Sequence, residues 1–430
     1  MIIADALRSL RQKFSQAFFF WLTFILCTIF IFLFFNISMS DAIGVVFIDS
    51  KADLATNLTI LVIAFCSINI FFANDFFARS KTRELAVRIV SGATYIQLAF
   101  YLLVQTFILL ILAVPAGIFL AVCILPLLNT LLTQISGTAA AITIRMDAVF
   151  TTSIVLLFLI FWTTLLNMSL AYKNSASALL NERRMKLQFD SFIKPSFSFS
   201  NKVLRILYSV MVFAPIVLMF INPYTGLFLS ILALIGFNGF LPKVFVPWLN
   251  DRIRTHSLSD PDNAAALGFY RNDLQILKNN ILLYYVNSVF LLTLVIGSHE
   301  NAMETMMVFV SYAFMNILQS LTMMFKYSSE ISDRTAYYAS LGQIGYIRKN
   351  FSRIIFREVT LLYGSVMGLA LLYDLSMLGG TLRLGDMSIP AAAGLAACVI
   401  VPVLICWAIS LLHYRRTILS GSQQRRRHVY

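Results

Sequence analysis

The sequence predicts an all-α polytopic membrane protein with about ten transmembrane helices. Hydrophobic residues make up 59% of the 430 residues and charged residues only 12%, whereas soluble proteins average roughly 25% charged residues. The chain repeatedly offers windows of about 20 predominantly apolar residues, the length that crosses a bilayer as a helix. These windows are apolar on all sides, whereas the strands of a membrane barrel alternate in polarity. We therefore expect helices rather than a barrel.

The apolar windows place the spans in order along the chain. They lie at approximately 18–38, 55–77, 98–122, 149–171, 205–222, 224–242, 281–298, 302–325, 355–375 and 390–412. Spans five and six meet at the tight turn Asn222-Pro223 and form a central helix pair. We divide the chain into a first four-helix repeat (1–172), linkers with the central pair (173–266), a second four-helix repeat (267–414) and a basic tail (415–430).

The basic residues predict that both termini are cytoplasmic. With the N-terminus inside, every Lys and Arg except Lys51, Arg145 and Arg383 falls on the cytoplasmic side, in agreement with the positive-inside rule. The net charge of +13 therefore reflects the topology of a multi-pass membrane protein. A nucleic-acid-binding patch is disfavoured because the positive charges are spread over all the cytoplasmic segments. The outer connections are too short for a folded domain.

Several classes of enzyme are excluded by what the sequence lacks. It contains no GxxxxGK[ST] phosphate loop, no HExxH and no GxSxG motif, so neither nucleotide hydrolysis at a phosphate loop nor these hydrolytic chemistries are expected. The five cysteines and four histidines show no metal-ligand spacing. We expect a non-catalytic chain that holds no metal or cofactor of its own.

An internal repeat relates the two ends of the chain. The segments ELAVRIVSGATYIQ (84–97) and RTAYYASLGQIGYI (334–347) align with Ala86 over Ala336 and Gly92 over Gly342. Each is preceded by an amphipathic basic helix, a span, an outer loop and a second span. The order of elements predicts two parallel four-helix repeats, each with an amphipathic helix at the cytoplasmic face.

The segment RSKTRELAVRIVSGATYIQ (79–97) combines charge, helical periodicity and a breaker. We predict a helix with mixed faces that Ser91-Gly92 ends, followed by a second helix that leads into the third span. One interpretation is an interfacial helix whose basic side chains reach anionic lipid headgroups. The other is a mechanical contact for a cytoplasmic partner.

The spacing E-x-A-x-x-x-x-x-G-A, from Glu84 to Gly92-Ala93, resembles the corresponding segment of FtsX-like ABC transporter permeases. In the second copy Arg334 stands at the position of the glutamate. The layout is similar to that of bacitracin-type antimicrobial-peptide resistance permeases, although their large outer domain has no counterpart here. The resemblance implies that both inner helices contact separate ATPase subunits, two per chain, which bind the ATP and Mg. The residues that it assigns to this coupling are Arg83, Glu84, Ala86, Arg88, Gly92, Ala93, Thr94, Ala336, Gly342, Gln343 and Tyr346.

The resemblance implies export or removal of a hydrophobic or amphipathic compound, such as an antimicrobial peptide, a bacteriocin or a lipid. An alternative is a non-transporting mechanotransmission protein that signals to a histidine kinase or a cell-wall hydrolase. A lipid scramblase or channel without an ATPase is a third possibility, against which the two inner helices argue.

Polar and small residues inside the spans suggest further sites. Asn69 and Gln319 are separated by the repeat offset of 250 residues. Each either forms an interhelical hydrogen bond or lines a central cleft. Gly364 and Gly368 have the GxxxG spacing that is typical of close helix packing.

Overall fold

The structure, a computed structural model, confirms the all-α class. It describes residues 2–12, 14–39, 63–71, 73–74, 77, 81–136, 142–173, 201–256, 260–298 and 302–427, which form helices and turns without a strand. In this part of the chain nine helices are long and apolar enough to cross a membrane. The predicted second span, 55–77, lies partly outside the described residues, and 63–71 within it are helical.

The chain divides into two compact units. The first comprises Met1–Phe197 with Ala302–Met307, and the second comprises Ser198–Asn301 with Val308–Tyr430. Besides the helical residues 63–71, the first unit contains the helices α1 (Ile2–Gln12), α2 (Phe14–Ser38), α3 (Thr82–Val90), α4 (Tyr95–Ser136) and α5 (Met146–Lys173).

The core of the first unit forms around α2, which packs against both α4 and α5. Most of its span is buried, although the helix is apolar enough to face lipid. Gly117 allows α4 to approach α2 closely, because a Cβ at this position would lie 2.7 Å from Thr28 Cβ and 3.1 Å from the carbonyl oxygen of Ile25. A side chain at Gly117 is therefore incompatible with this helix crossing.

Two asparagine side chains hold the segment that precedes α5. Asn36 Nδ2 donates to the carbonyl oxygen of Thr143 (3.0 Å), and the Arg145 N–H donates to Asn36 Oδ1 (2.9 Å). Asn129 makes the same pair of bonds with the backbone of Ile142 (2.9 and 3.2 Å). Both amides replace the backbone partners that an irregular segment lacks.

The second unit begins with the central helix pair. Its helices are α6 (Asn201–Ile221), α7 (Gly226–Phe240), α8 (Val246–His256), α9 (Pro261–Gly297), α10 (Ala302–Gln343), α11 (Arg348–Leu384) and α12 (Ile389–Arg427). The predicted turn between α6 and α7 is confirmed, because Asn222 Oδ1 accepts the N–H of Tyr224 (3.2 Å) and Pro223 opens a short 3₁₀ turn. A π-helical turn, Leu241–Phe245, joins α7 to α8.

The long helix α11 is the centre of the second unit. It packs against α6, α9 and α12. Tyr373 on α11 donates a hydrogen bond to the carbonyl oxygen of Val212 on α6 (2.6 Å). The prediction that Gly364 and Gly368 pack closely against another helix is wrong for the described part of the chain. A Cβ at either position would meet no atom within 4 Å. Both glycines lie on an exposed face of α11.

Candidate functional site

The helix α3 ends at a glycine, as the sequence predicts. Gly92 has φ +90°, its N–H donates to the Ile89 carbonyl (2.9 Å), and the N–H of Ala93 donates to the Arg88 carbonyl (3.0 Å). This pair of bonds is a Schellman motif, in which glycine is favoured because a Cβ disfavours the left-handed conformation.

The helix α4 starts at Tyr95, directly after a reciprocal cap at Thr94. The N–H of Thr94 donates to Gln97 Oε1 (3.0 Å), and the N–H of Gln97 donates to Thr94 Oγ1 (3.4 Å). These bonds form a capping box, which satisfies two N–H groups that a helix N-terminus leaves free. The turn between α3 and α4 is thus specified by local hydrogen bonds on both sides. We call residues 91–94 the first turn.

One face of α3 is buried against α1 and α4. Leu85 and Ala86 form an apolar cluster with Ala6 of α1 and with Leu98 and Tyr101 of α4. Ile89 and Ala93 pack against the same cluster. The buried cluster fixes α3 to the N-terminal end of α4 and to the N-terminal helix α1.

Glu84 is the polar centre of this packing. Its Oε2 accepts a hydrogen bond from Ser9 Oγ (2.9 Å), and its Oε1 accepts one from the Tyr101 hydroxyl. Lys81 Nζ lies 3.7 Å from Oε2 and donates to Ser9 Oγ (2.7 Å). Arg88 Nη2 lies 3.7 Å from Oε1. The glutamate of the motif therefore holds α1, α3 and α4 together.

The opposite face of α3 and the first turn are exposed. Val90 and Ile96 are 73% and 74% exposed, and Val87 is also exposed. Arg88 lies between the two faces, with its guanidinium 4.0 Å from the Tyr101 ring centroid and 3.7 Å from Asp5 Oδ2. An exposed apolar group at the end of a well-packed helix is typical of a protein contact.

The second copy also has a glycine turn, but not at the predicted position. Gly342 lies inside α10, whereas Gly345 has φ +108°. The Gly345 N–H donates to the Gly342 carbonyl (3.3 Å), and the Tyr346 N–H donates to the Leu341 carbonyl (3.1 Å), which again gives the Schellman pattern. The alignment of Gly92 with Gly342 is therefore displaced by three residues. We call residues 344–347 the second turn, at which Ile344 and Ile347 are exposed.

Arg334, which the sequence places over Glu84, lies in the interior of the second unit. Its side chain is 5% exposed. Its guanidinium donates to Asp273 on α9 and to Glu358 on α11. Tyr414 on α12 donates to Glu358 Oε2 (3.2 Å) and accepts from Arg334 Nη1 (3.4 Å). One guanidinium on α10 thus connects three other helices.

The charges around Arg334 keep it protonated. Burial lowers the pKa of the guanidinium, but the carboxylate of Glu358 and neighbouring tyrosine oxygens more than compensate, and the pKa is raised from its ordinary value. The rings of Phe269 and Tyr327 lie 5.6 and 5.7 Å from the guanidinium. A cation between two carboxylates and aromatic faces is strongly held in a low-dielectric interior.

Asn69 and Gln319 are both buried. Asn69 Nδ2 donates to the Phe65 carbonyl of its own helix (2.9 Å), whereas Asn69 Oδ1 and Gln319 Nε2 have no hydrogen-bond partner within the described chain. They belong to different units, and whether they line a cleft stays a prediction.

The remaining predicted coupling residues surround the two turns. Gln343 is the exposed last residue of α10, and Tyr346 is half-buried in the second turn. Arg83 and Ala336 lie on α3 and α10, but their side chains are outside the described part of the chain. The sequence reading missed Ser9, Lys81 and Tyr101, which are the partners of Glu84. By contrast, the Thr94–Gln97 capping box has a local sequence signature, a threonine followed three residues later by a glutamine.

The comparisons with known proteins agree with the resemblance in the motif. Residues 58–176 match the model of the FtsX-like permease C-terminal family. The matched segment contains α3, the first turn, α4 and α5, and accounts for little more than a quarter of the 430 residues. Over this segment the chain is similar to the membrane permease component of ABC-type systems, which act with an ATP-binding subunit. No curated protein matches the chain.

Proposed function

We propose that this chain is the transmembrane subunit of a bacterial ABC transporter and that the first turn contacts a separate ATP-binding subunit. The observation that carries the proposal is the exposed apolar group Val87, Val90 and Ile96 at that turn. Val87 lies on the face of α3 away from the buried cluster, Val90 is the last residue of α3, and Ile96 lies at the start of α4. They give a partner apolar surface on a helix that is already fixed in place.

The packing behind the first turn supports transmission of motion. Glu84 and the buried cluster hold α3 against α4, and the Thr94–Gln97 cap makes the turn compact. The helix α4 then continues for 42 residues, about 63 Å at 1.5 Å per residue. A displacement applied at Val90 is therefore passed to a helix long enough to cross the membrane. In this proposal Glu84 is a positioning residue, since its carboxylate is used within the unit.

The second turn provides a second contact of different composition. Its exposed side chains are Ile344 and Ile347, and the helix before it is the uninterrupted α10 rather than a separate short helix. One chain with two turns is suited to two ATP-binding subunits. Since the turns differ in sequence and in the helix that precedes them, we propose that the two subunits bind with different affinity.

We propose that the cargo is a hydrophobic or amphipathic compound that enters from the bilayer. The supporting feature is the extensive exposed apolar surface of α4, α5 and α6, which contacts lipid if these helices span the membrane. The predicted outer connections are short, which favours a cargo taken from lipid rather than captured by an outer domain.

The coupling proposal is tested with charged substitutions at the turns. We expect Val90→Asp and Ile96→Asp to reduce binding of the purified ATP-binding subunits from the same genome at least tenfold, and to abolish stimulation of ATPase activity. Thr255→Asp, on the exposed end of α8, is the matched control and should bind normally. Size-exclusion profiles establish that the variants are folded.

Wild-type affinity in Val90→Asp, Ile96→Asp and Ile344→Asp alike would reject both turns as contacts.

A second experiment, in proteoliposomes that contain the chain and its ATP-binding subunits, separates transport from signalling. ATP-dependent movement of a labelled cationic peptide or lipid supports export, whereas coupled ATPase activity without movement of either probe favours the mechanotransmission alternative.

A further inference from the structure

A buried carboxylate lies among the candidate membrane-spanning helices α9, α10 and α11 of the second unit. Asp374 is ten residues before the end of α11, and its side chain is fully buried. Ser288 is nine residues before the end of α9, and Tyr312 is ten residues after the start of α10. Ten residues of helix correspond to about 15 Å, half of the roughly 30 Å hydrocarbon core. Ser288 and Tyr312 lie near the middle of the predicted spans 281–298 and 302–325, and both donate to Asp374. The three side chains are therefore at the depth where an isolated charge is least favourable.

The hydrogen bonds of Asp374 leave one oxygen unused. Ser288 Oγ donates to Asp374 Oδ2 (2.7 Å), and the hydroxyl of Tyr312 donates to the same atom (3.3 Å). Within the described chain Oδ1 has no hydrogen-bond partner. Asp374 also has no basic partner among the described ion pairs, in contrast to Asp273 and Glu358, which share Arg334.

Two more buried hydroxyl groups lie on α9, one helical turn before Ser288. The hydroxyls of Tyr284 and Tyr285 are buried and make no hydrogen bond of standard geometry in the described structure. The ring of Tyr285 packs against that of Tyr373, with the centroids 4.6 Å apart. Unpartnered polar atoms at this depth are costly, because lipid supplies no hydrogen bonds.

The chemistry of the cluster favours a cation of single charge. A divalent ion requires more negative charge than one carboxylate, and no group of three or more His, Cys, Asp or Glu side chains suited to a metal ion occurs in the described chain. A water molecule would satisfy Oδ1 but would leave the negative charge. Protonation would remove the charge without an ion, and only a bound ion makes stability depend on Na⁺ or K⁺. A sodium or potassium ion neutralises the charge and is bound by carboxylate and hydroxyl oxygens that replace its hydration shell.

We propose that Asp374 binds a small inorganic monovalent cation, Na⁺ or K⁺, with the hydroxyls of Tyr284 and Tyr285 as neighbouring oxygen ligands. Because the carboxylate is held by Ser288 and Tyr312, the ion stabilises the arrangement of α9, α10 and α11 at mid-membrane. The site is independent of the turns, so it does not rest on the proposed coupling to an ATP-binding subunit.

The proposal predicts a specific effect of alkali ions on stability. The purified chain in detergent is melted in buffers of constant ionic strength in which NaCl or KCl replaces choline chloride. We expect at least one of the two ions to raise the melting temperature of the wild type by several degrees, with saturation, as ligand binding to the folded state requires. Asp374→Asn should lose this increment. Asp260→Asn removes a carboxylate outside the span and should retain it.

Two further measurements keep the test decisive if Asp374→Asn folds poorly. Ser288→Ala and Tyr312→Phe keep the carboxylate and should shift the saturating ion concentration upward at least threefold. Wild-type protein should also bind ²²Na⁺ or ⁸⁶Rb⁺, the latter as a probe for K⁺, in a way that unlabelled alkali ion displaces and choline does not. Absence of displaceable binding of both probes overturns the proposal. Stabilisation by dodecylammonium or by acid alone, without an alkali effect, also overturns it.

Discussion

Lys81 and Arg334 occupy the same position relative to the turns that follow them. Each is a buried cation eleven residues before a glycine with positive φ, Gly92 in one case and Gly345 in the other. Lys81 contacts α1 through Ser9, and Arg334 contacts α9 through Asp273. The two units therefore share a buried basic residue at this position, although one uses lysine and the other arginine.

We predict that Arg334→Met is strongly destabilising. It leaves Asp273 and Glu358 buried without their cation, and breaking a buried ion pair in this way costs about 3–5 kcal/mol. The measurement is SDS titration of the detergent-solubilised chain, followed by tryptophan fluorescence. Lys81→Met should cost less, because its partner Glu84 is 24% exposed and water reaches the remaining carboxylate.

A triple variant separates the loss of charge balance from the loss of packing. Asp273→Asn, Arg334→Met and Glu358→Gln together remove the uncompensated charges, and we expect most of the lost stability to return. A triple variant as unstable as Arg334→Met alone would mean that the guanidinium acts through its shape and its aromatic contacts rather than through its charge.

We predict that Gly345, not Gly342, is the residue on which the second turn depends. Gly345→Ala places a Cβ in the left-handed conformation and should cost about 1–2 kcal/mol. Gly342 is helical, and a Cβ there would lie 3.7 Å from Phe351 Cζ, an ordinary contact. Gly342→Ala should therefore be neutral or stabilising by up to about 1 kcal/mol. Thermal melting of both variants in detergent decides between the two positions.

The displaced glycine shows what the sequence specifies and what it leaves open. The segment LGQIG contains two glycines, Gly342 and Gly345, and the alignment of the two repeats places Gly92 over the first. The choice between them depends on how far α10 continues, which tertiary packing decides. By contrast, the turn at Gly92 is flanked by the Thr94–Gln97 capping box, and local hydrogen bonds alone predict it.

The burial of Lys81 and Arg334 could not be predicted from the sequence, because it also depends on tertiary packing. Basic residues follow the positive-inside rule, so Lys81 and Arg334 read as exposed cytoplasmic charges. Their burial depends on Ser9 and Glu84 in one unit and on Asp273 and Glu358 in the other. These partners come from sequence-distant helices, apart from Glu84, and no periodicity within one helix identifies them.

We predict opposite effects for two Gly→Ala substitutions within spans. At Gly117 an added Cβ would lie 2.7 Å from Thr28 Cβ, so α4 must move away from α2, at a cost of about 1–3 kcal/mol. At Gly364 the added Cβ meets nothing within 4 Å, and the gain in helix propensity is up to about 1 kcal/mol. Melting temperatures of the two variants check this; a loss at Gly364 as large as that at Gly117 would show that another helix covers that face of α11.

The last prediction concerns the cap of α9 and its dependence on pH. Asp260 Oδ2 accepts a hydrogen bond from Arg357 Nη1 (2.8 Å), and its Oδ1 accepts the N–H of Asn263 (3.1 Å). The bond from Arg357, followed by that from Asn263, lowers the pKa of Asp260 from its ordinary value. At acidic pH the unfolded chain therefore binds more protons at this residue than the folded chain does. The resulting stabilisation is complete above the ordinary pKa of about 3.9 and is lost as pH falls through the lowered pKa.

Asp260→Asn should reveal this contribution as a difference that changes with pH. Asparagine keeps the capping acceptor but loses the charge opposite Arg357, so the variant should be less stable than the wild type at pH 7. The pair is exposed, and the difference should be less than about 1 kcal/mol. It should shrink as pH falls below the ordinary pKa of about 3.9 and vanish below the lowered pKa, because the wild-type carboxylate is then protonated. Arg357→Gln should show the same trend, and a difference that stays constant from pH 7 to pH 3 would contradict the assignment of the effect to Asp260.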